Sequence, residues 1–94
     1  MQFVVIARDG DDPQAHDRRA KARPAHMESA GRMKENGSML AGGAILDDDG
    51  AMIGSVMIVD FPSRAELDAW LTSDPYTTGD VWRHVEVRPF RIAL

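Results

Sequence analysis

Residues 38–61 read SMLAGGAILDDDGAMIGSVMIVDF, and the fold turns on them. Two apolar runs, 38–46 and 52–61, are joined by DDDGA, whose Asp-Gly pair is a hairpin signal because such turns need a residue at ease with positive φ. Both runs are apolar on both faces of the strand they would form. Gly42, Gly43 and Gly54 thin their middles, which leaves space above the sheet or lets another backbone or a ligand approach.

Working outward, QFVVIAR at 2–8 is rich in aromatic and β-branched residues and stops at the turn signal DGDDP, as a first strand does. Phe3, Val5 and Ala7 point to one face, Val4 and Ile6 to the other. Residues 13–37 have helix-forming composition, with Pro13 where a first turn tolerates it and Gly37 as a C-terminal cap. Pro24 lacks an N–H and crowds the preceding turn, so a kink or a restart is expected there. After it, Met27, Ala30 and Met33 or Lys34 recur at helical spacing, with His26 and Arg23 close to the same face. PSRAELDAWL at 62–71 carries a capping box, Ser63 with Glu66, ahead of a stripe of Leu67, Trp70 and Leu71. VWRHVEVRPFRIAL at 81–94 reads as a last strand whose apolar parity switches at Pro89, as at a bulge or an edge.

The order βαββαβ is that of the ferredoxin-like plait, an α+β fold with a four-stranded antiparallel sheet and two helices on one face. Two helices cover only that face. The strands are apolar on both, so the second face is expected to be buried by another copy, giving a homodimer packed sheet to sheet.

Length and charge narrow the function classes. Ninety-four residues make a single domain, 1–94. Composition is that of a soluble globular chain, 44% hydrophobic and 28% charged. A net charge of −4 without a basic stripe weighs against nucleic acid as partner. The opening apolar run is too short for a secretory signal and no run approaches membrane-spanning length, so a cytoplasmic protein with no membrane partner is expected. There is no cysteine, which excludes disulfides and thiolate metal sites.

The groups able to carry chemistry are His16, His26, His84, Asp74, Ser55 and Tyr76. Histidine is the natural general base near neutral pH, and a carboxylate bonded to it fixes its tautomer. Spacing alone pairs no histidine with Asp74. The fold does more, because His26 lies on the first helix, Asp74 lies just past the second, and the two helices are neighbours. Taken singly, a histidine on a short helix is more often a surface or satisfied core residue, and Asp before Pro caps a turn. His16, among Asp12, Asp17, Arg18 and Arg19, belongs to a charged, solvated helical face. His84, Glu86 and Arg88 share one strand face and either line a pocket or form ion pairs at a sheet edge. DDDG at 47–50 lacks the ligand pattern of a calcium loop, and no nucleotide, zinc-protease or hydrolase motif occurs, so no metal or cofactor is expected.

FVVIARDG at the start, RPAHM, AGGAIL, GSVMIVDF, AELDAWLTSDPY and the closing VEVRPF, in this order and spacing, resemble the YCII-related (YciI-like) proteins over nearly the whole chain. The resemblance implies a ferredoxin-like subunit of the dimeric α+β barrel superfamily. It also implies a candidate active site made of His26 in RPAHM and Asp74 in SDPY, with Ser55 lining the same region. One relative dehydrochlorinates a chlorinated lactone from aromatic degradation. Gly42-Gly43 stands where many relatives have Gly-Pro, and Met27 where they have leucine, a nearly volume-conserving change.

Two functions follow as expectations. In one, an isomerase- or lyase-like enzyme binds a small cyclic or aromatic-derived metabolite, His26 and Asp74 are the catalytic pair, and Arg23, Ser55 and Tyr76 contact the substrate, Arg23 through a substrate carboxylate. In the other, the same dimer is a non-catalytic small-ligand-binding or accessory module in which Asp74 holds a turn.

Overall fold

The computed structural model describes all residues, Met1–Leu94. In chain order they form β1 (Gln2–Asp9), α1 (Ala15–Asn36), β2 (Met39–Leu46), β3 (Met52–Asp60), α2 (Arg64–Ser73), α3 (Pro75–Thr78) and β4 (Trp82–Pro89). The four strands make one antiparallel sheet in the order β2-β3-β1-β4, the ferredoxin-like arrangement. The short α3 is an addition to the expected pair of helices.

The β2–β3 hairpin closes as its Asp-Gly implies. Gly50 takes φ +86°, and Asp47 Oδ1 accepts from the backbone N–H of Asp49 and of Ala51, both at 2.9 Å. Pairing of Phe3 with Val59 and of Val5 with Met57 puts these four side chains on one face. All are buried, in a core completed by Met33 of α1, Leu67 and Trp70 of α2, Tyr76 of α3, and Val81 and Trp82. Val4 and Ile6 fall on the other face, paired with Ile58 and Val56, and the exposed His84, Glu86 and Arg88 of β4 share that face.

Helix α1 is one helix through Pro24, so of the kink or restart expected there the restart does not occur. Pro24 and Ala20, whose carbonyl the missing N–H leaves without its helical partner, both lie on the exposed side of the helix. The inward stripe is Ala15, Arg19, Ala22, His26, Ala30 and Met33, which keeps Ala30 and Met33 of the expected one but has His26 in place of Met27, which is 49% exposed. Arg19 is therefore in the interior rather than on a solvated face. The start of the helix is tied down by Arg18, whose two terminal nitrogens reach both oxygens of Asp12 at 2.8 and 2.6 Å. That fork holds the Asp12 carboxyl well below the usual carboxylate range.

β4 ends at Pro89, so the expected strand over 81–94 is shorter. Proline cannot extend the ladder, and beyond it Phe90 and Ile92 bond only to Gln2, through its carbonyl and its side chain. The bulge falls at the opposite end of the strand: Asp9 pairs with Trp82 but Arg8 with His84, leaving Arg83 as the extra residue.

Candidate functional site

Asp74 ends one helix and begins the next. Its backbone N–H donates to Trp70 O at 3.0 Å, closing α2, and its Oδ1 accepts from Tyr76 N at 2.9 Å, capping α3. Pro75 follows as the first residue of α3, where a missing N–H costs nothing. The Asp-Pro-Tyr sequence thus makes a sharp helix-to-helix corner and leaves the carboxylate 1% exposed.

His26 reaches this carboxylate from α1. Its Nδ1 lies 2.8 Å from the same Oδ1, although the two residues are 48 positions apart. An ionised carboxylate only accepts, so Nδ1 carries the hydrogen and the neutral ring keeps its lone pair on Nε2. Asp74 Oδ2 is buried without a partner. The Tyr76 ring stacks on the imidazole, centroids 3.8 Å apart and planes within 13°, and Trp82 meets it edge-on at 5.7 Å. Burial pushes the Tyr76 phenol above the usual tyrosine range, against the pull of Arg19 and Arg23.

Two helical turns before His26, Arg19 makes the second buried pair. Its Nη1 contacts both oxygens of Asp9 at 3.0 and 2.9 Å, and its Nη2 donates to Ser55 Oγ at 3.0 Å. Its guanidinium carbon stands 4.7 Å from the centroid of the Tyr76 ring, within cation–π range. Ser55 Oγ also accepts from Trp82 Nε1 at 3.2 Å.

A cavity of about 580 Å³ opens between α1 and the β2–β3 side of the sheet, lined by Arg19, Arg23, His26, Ser55 and Tyr76 together with apolar and small residues that include Met57 and Gly42 to Ala44. Gly42 pairs with Met57 and faces this cavity, where a Cβ would touch Met39 and Met57, whereas Gly43 pairs with Val56 and faces the other side of the sheet. The charged lining residues are Arg19, Arg23 and Lys34, with no Asp or Glu, in a chain whose net charge is −4. Asp9 meets the charge of Arg19, so Arg23 and Lys34 are what suit this wall to an anion.

The residues singled out from sequence therefore converge. His26, Ser55, Tyr76 and Arg23 line one cavity and Asp74 stands directly behind His26. His16 is exposed, as read. His84, Glu86 and Arg88 lie across the sheet from the cavity, where Arg88 Nε donates to Glu86 Oε2 at 2.9 Å in an exposed ion pair. Sequence reasoning missed Arg19, Asp9 and Trp82. The available signal was the spacing of Arg19 from His26 and Met33, which puts all three on one stripe. No three His, Asp and Glu side chains converge to form a metal centre.

Fold and site together define a small ferredoxin-like protein with a buried His-Asp pair on the wall of a basic cavity. The chain belongs to the YCII-related family, whose model matches residues 1–91. Protein YciI of Escherichia coli O6:H1 is 33% identical over 97 residues, covering 97% of each chain. Among solved structures, a 5-chloro-2-hydroxyhydroquinone dehydrochlorinase from Burkholderia phenoliruptrix AC1100 superposes with a TM-score of 0.84 at 24% identity, covering 97% of this chain and 94% of that one. A dimeric ferredoxin-like protein from Jannaschia sp. CCS1 superposes at 0.54 with 15% identity, covering 97% and 98%. These two likenesses show the fold. No helix is long and apolar enough to cross a membrane.

Proposed function

We propose that the chain is an acid–base catalyst of the isomerase or lyase kind, acting on a small, anionic, cyclic or aromatic-derived metabolite. The observation that carries this reading is the His26–Asp74 contact of 2.8 Å at the cavity wall. Asp74 holds the hydrogen on Nδ1, so Nε2 is the basic nitrogen. It has no partner within the chain and is free to take a proton from a bound molecule. Arg23, exposed at the cavity wall and without an ion-pair partner, binds the ligand's anionic group, and Tyr76 fixes the imidazole plane by stacking. The dehydrochlorinase that shares this fold, seen in complex with 2,5-dihydroxybenzoquinone, supports a ring-shaped oxygenated ligand.

The test is turnover of a panel of small cyclic carbonyl compounds and hydroxyquinones, 5-chloro-2-hydroxyhydroquinone among them. His26→Ala lowers kcat by about 10²–10⁴, the usual worth of general acid–base assistance. Undiminished turnover in His26→Ala and in Asp74→Asn refutes the mechanism. The binding-module reading draws on a separate observation, the cap that Asp74 gives Tyr76 N. It is favoured if ligands from the panel bind and none is converted.

The working unit in this proposal is a homodimer joined through the sheet face that carries Val4, Ile6, Val56 and Ile58. Val56 is 37% exposed in the single chain, and the structural relative from Jannaschia is dimeric. Sedimentation gives a dimer for the native chain and a monomer for Val56→Arg. A native monomer at micromolar concentration removes this part of the proposal.

A further inference from the structure

Ser55 is 3% exposed, lies on β3 and lines the same cavity as His26. Its Oγ takes hydrogen bonds from Arg19 Nη2 at 3.0 Å and Trp82 Nε1 at 3.2 Å. Both groups are donors only, since a guanidinium does not deprotonate in proteins and an indole N–H does not accept. A hydroxyl oxygen has two lone pairs and one hydrogen. Here both lone pairs are committed, and no side chain or carbonyl of the protein takes the hydrogen. Arg19 is itself locked by Asp9, and Trp82 is buried, so the hydroxyl cannot reverse its polarity by waiting for either donor to turn away.

An ordinary cavity serine donates or accepts as a ligand demands. We propose that Ser55 is instead a fixed hydrogen-bond donor, and that the cavity therefore selects anionic molecules presenting a carbonyl or oxyanion oxygen to Ser55, against counterparts with an apolar or donor group there. Its complement is His26 Nε2, which in the neutral ring only accepts. The site thus reads a ligand by two opposite polarities, with Arg23 and Lys34 favouring a negative charge. The proposal rests on the reading of this cavity as a ligand site, though not on proton transfer by His26.

Two matched probes test it on the full chain: para-acetylbenzoate, which carries a ketone oxygen, and para-isopropenylbenzoate, which has the same carboxylate, ring and shape with a methylene in its place. Titration followed by NMR gives roughly 3- to 10-fold tighter binding of the ketone, the usual worth of one hydrogen bond. In Ser55→Ala that preference falls to about one, whereas a merely structural role for Ser55 would weaken both probes alike. Ser55→Thr, which keeps the hydroxyl, keeps the preference. If Ser55→Ala does not fold, the native chain decides through an intermolecular NMR contact between the Ser55 methylene and the ketone methyl. Equal binding by the native chain, a preference that survives Ser55→Ala, or absence of that contact overturns the proposal and leaves the ligand site standing. Binding of neither probe overturns both.

Discussion

Helix α1 presents two polar side chains to the interior, Arg19 and His26, two turns apart on one stripe, and each meets a buried carboxylate. The pairs are built alike and finished differently. Arg19 spends its charge in place: both oxygens of Asp9 are taken by one nitrogen, and the other nitrogen is on Ser55. His26 uses one ring nitrogen and keeps the other, and Asp74 keeps one carboxylate oxygen unpaired. Arg19 also leaves its Nε–H buried without a partner, yet a guanidinium that stays charged has no proton to exchange and can only hold structure. A titratable ring with a free nitrogen on a cavity wall can exchange a proton. In the proposed function the first pair is architectural and the second carries the chemistry, although a single helix face supplies both.

That contrast breaks most visibly at Arg19. Removing it strands a buried carboxylate, so Arg19→Ala is expected to cost about 3–5 kcal/mol, read from the urea midpoint at constant slope. Replacing both partners with apolar residues, Arg19→Met with Asp9→Leu, recovers most of the loss, because the desolvation cost disappears along with the charges. A loss in the double variant as large as in Arg19→Ala would show that the ion pair itself stabilises the fold. Asp74→Ala follows with a smaller effect, about 1–3 kcal/mol, for the lost cap of α3 and the lost imidazole contact. Asp74→Asn keeps an oxygen for Tyr76 N and is milder still, yet it removes the anion that holds the hydrogen on His26 Nδ1. Nitrogen NMR of the neutral ring reports that change directly. A ring protonated on Nε2 in the native chain would erase the distinction between the two pairs.

The same two pairs show how far a single sequence can be read. The hairpin at 47–51 and the cap at Ser63 follow from local rules, and those rules hold because each is satisfied within a few residues. His26 and Asp74 were also within reach, since plait topology brings the first helix beside the corner after the second. Arg19 was hidden by its neighbours. Asp17, Arg18, Lys21 and Arg23 surround it with charge, and charge in a helix normally marks the solvated side. What buries Arg19 is Asp9, at the end of β1, where a bulge opposite Arg83 lets Trp82 turn its indole onto Ser55. A bulge depends on register between strands far apart in sequence, and nothing in WRHVEV announces it. Pro24 is the converse case, a local rule under which the helix still continues, on the exposed side where Ala20 and Pro24 lie.

The smallest effect lies where the two pairs meet. Tyr76 stacks on His26 with one face of its ring and stands near the Arg19 guanidinium, and burial raises its phenol above the usual range. In the unfolded chain the phenol ionises near about pH 10, while in the folded chain it stays protonated to higher pH. Over that interval the unfolded state binds fewer protons, so stability falls as pH rises. It is fully present below the unfolded value. Tyr76→Phe abolishes the fall while changing neutral-pH stability little, because the ring and its stacking remain. Tyr76 is the chain's single tyrosine, so phenolate absorbance in the native protein follows this group alone. If the absorbance rises at the model-peptide position and the alkaline loss of stability persists in Tyr76→Phe, the ring is not buried against the two pairs in solution. The proposed division between an architectural arginine and a proton-exchanging histidine would then need to be redrawn around a solvated Tyr76.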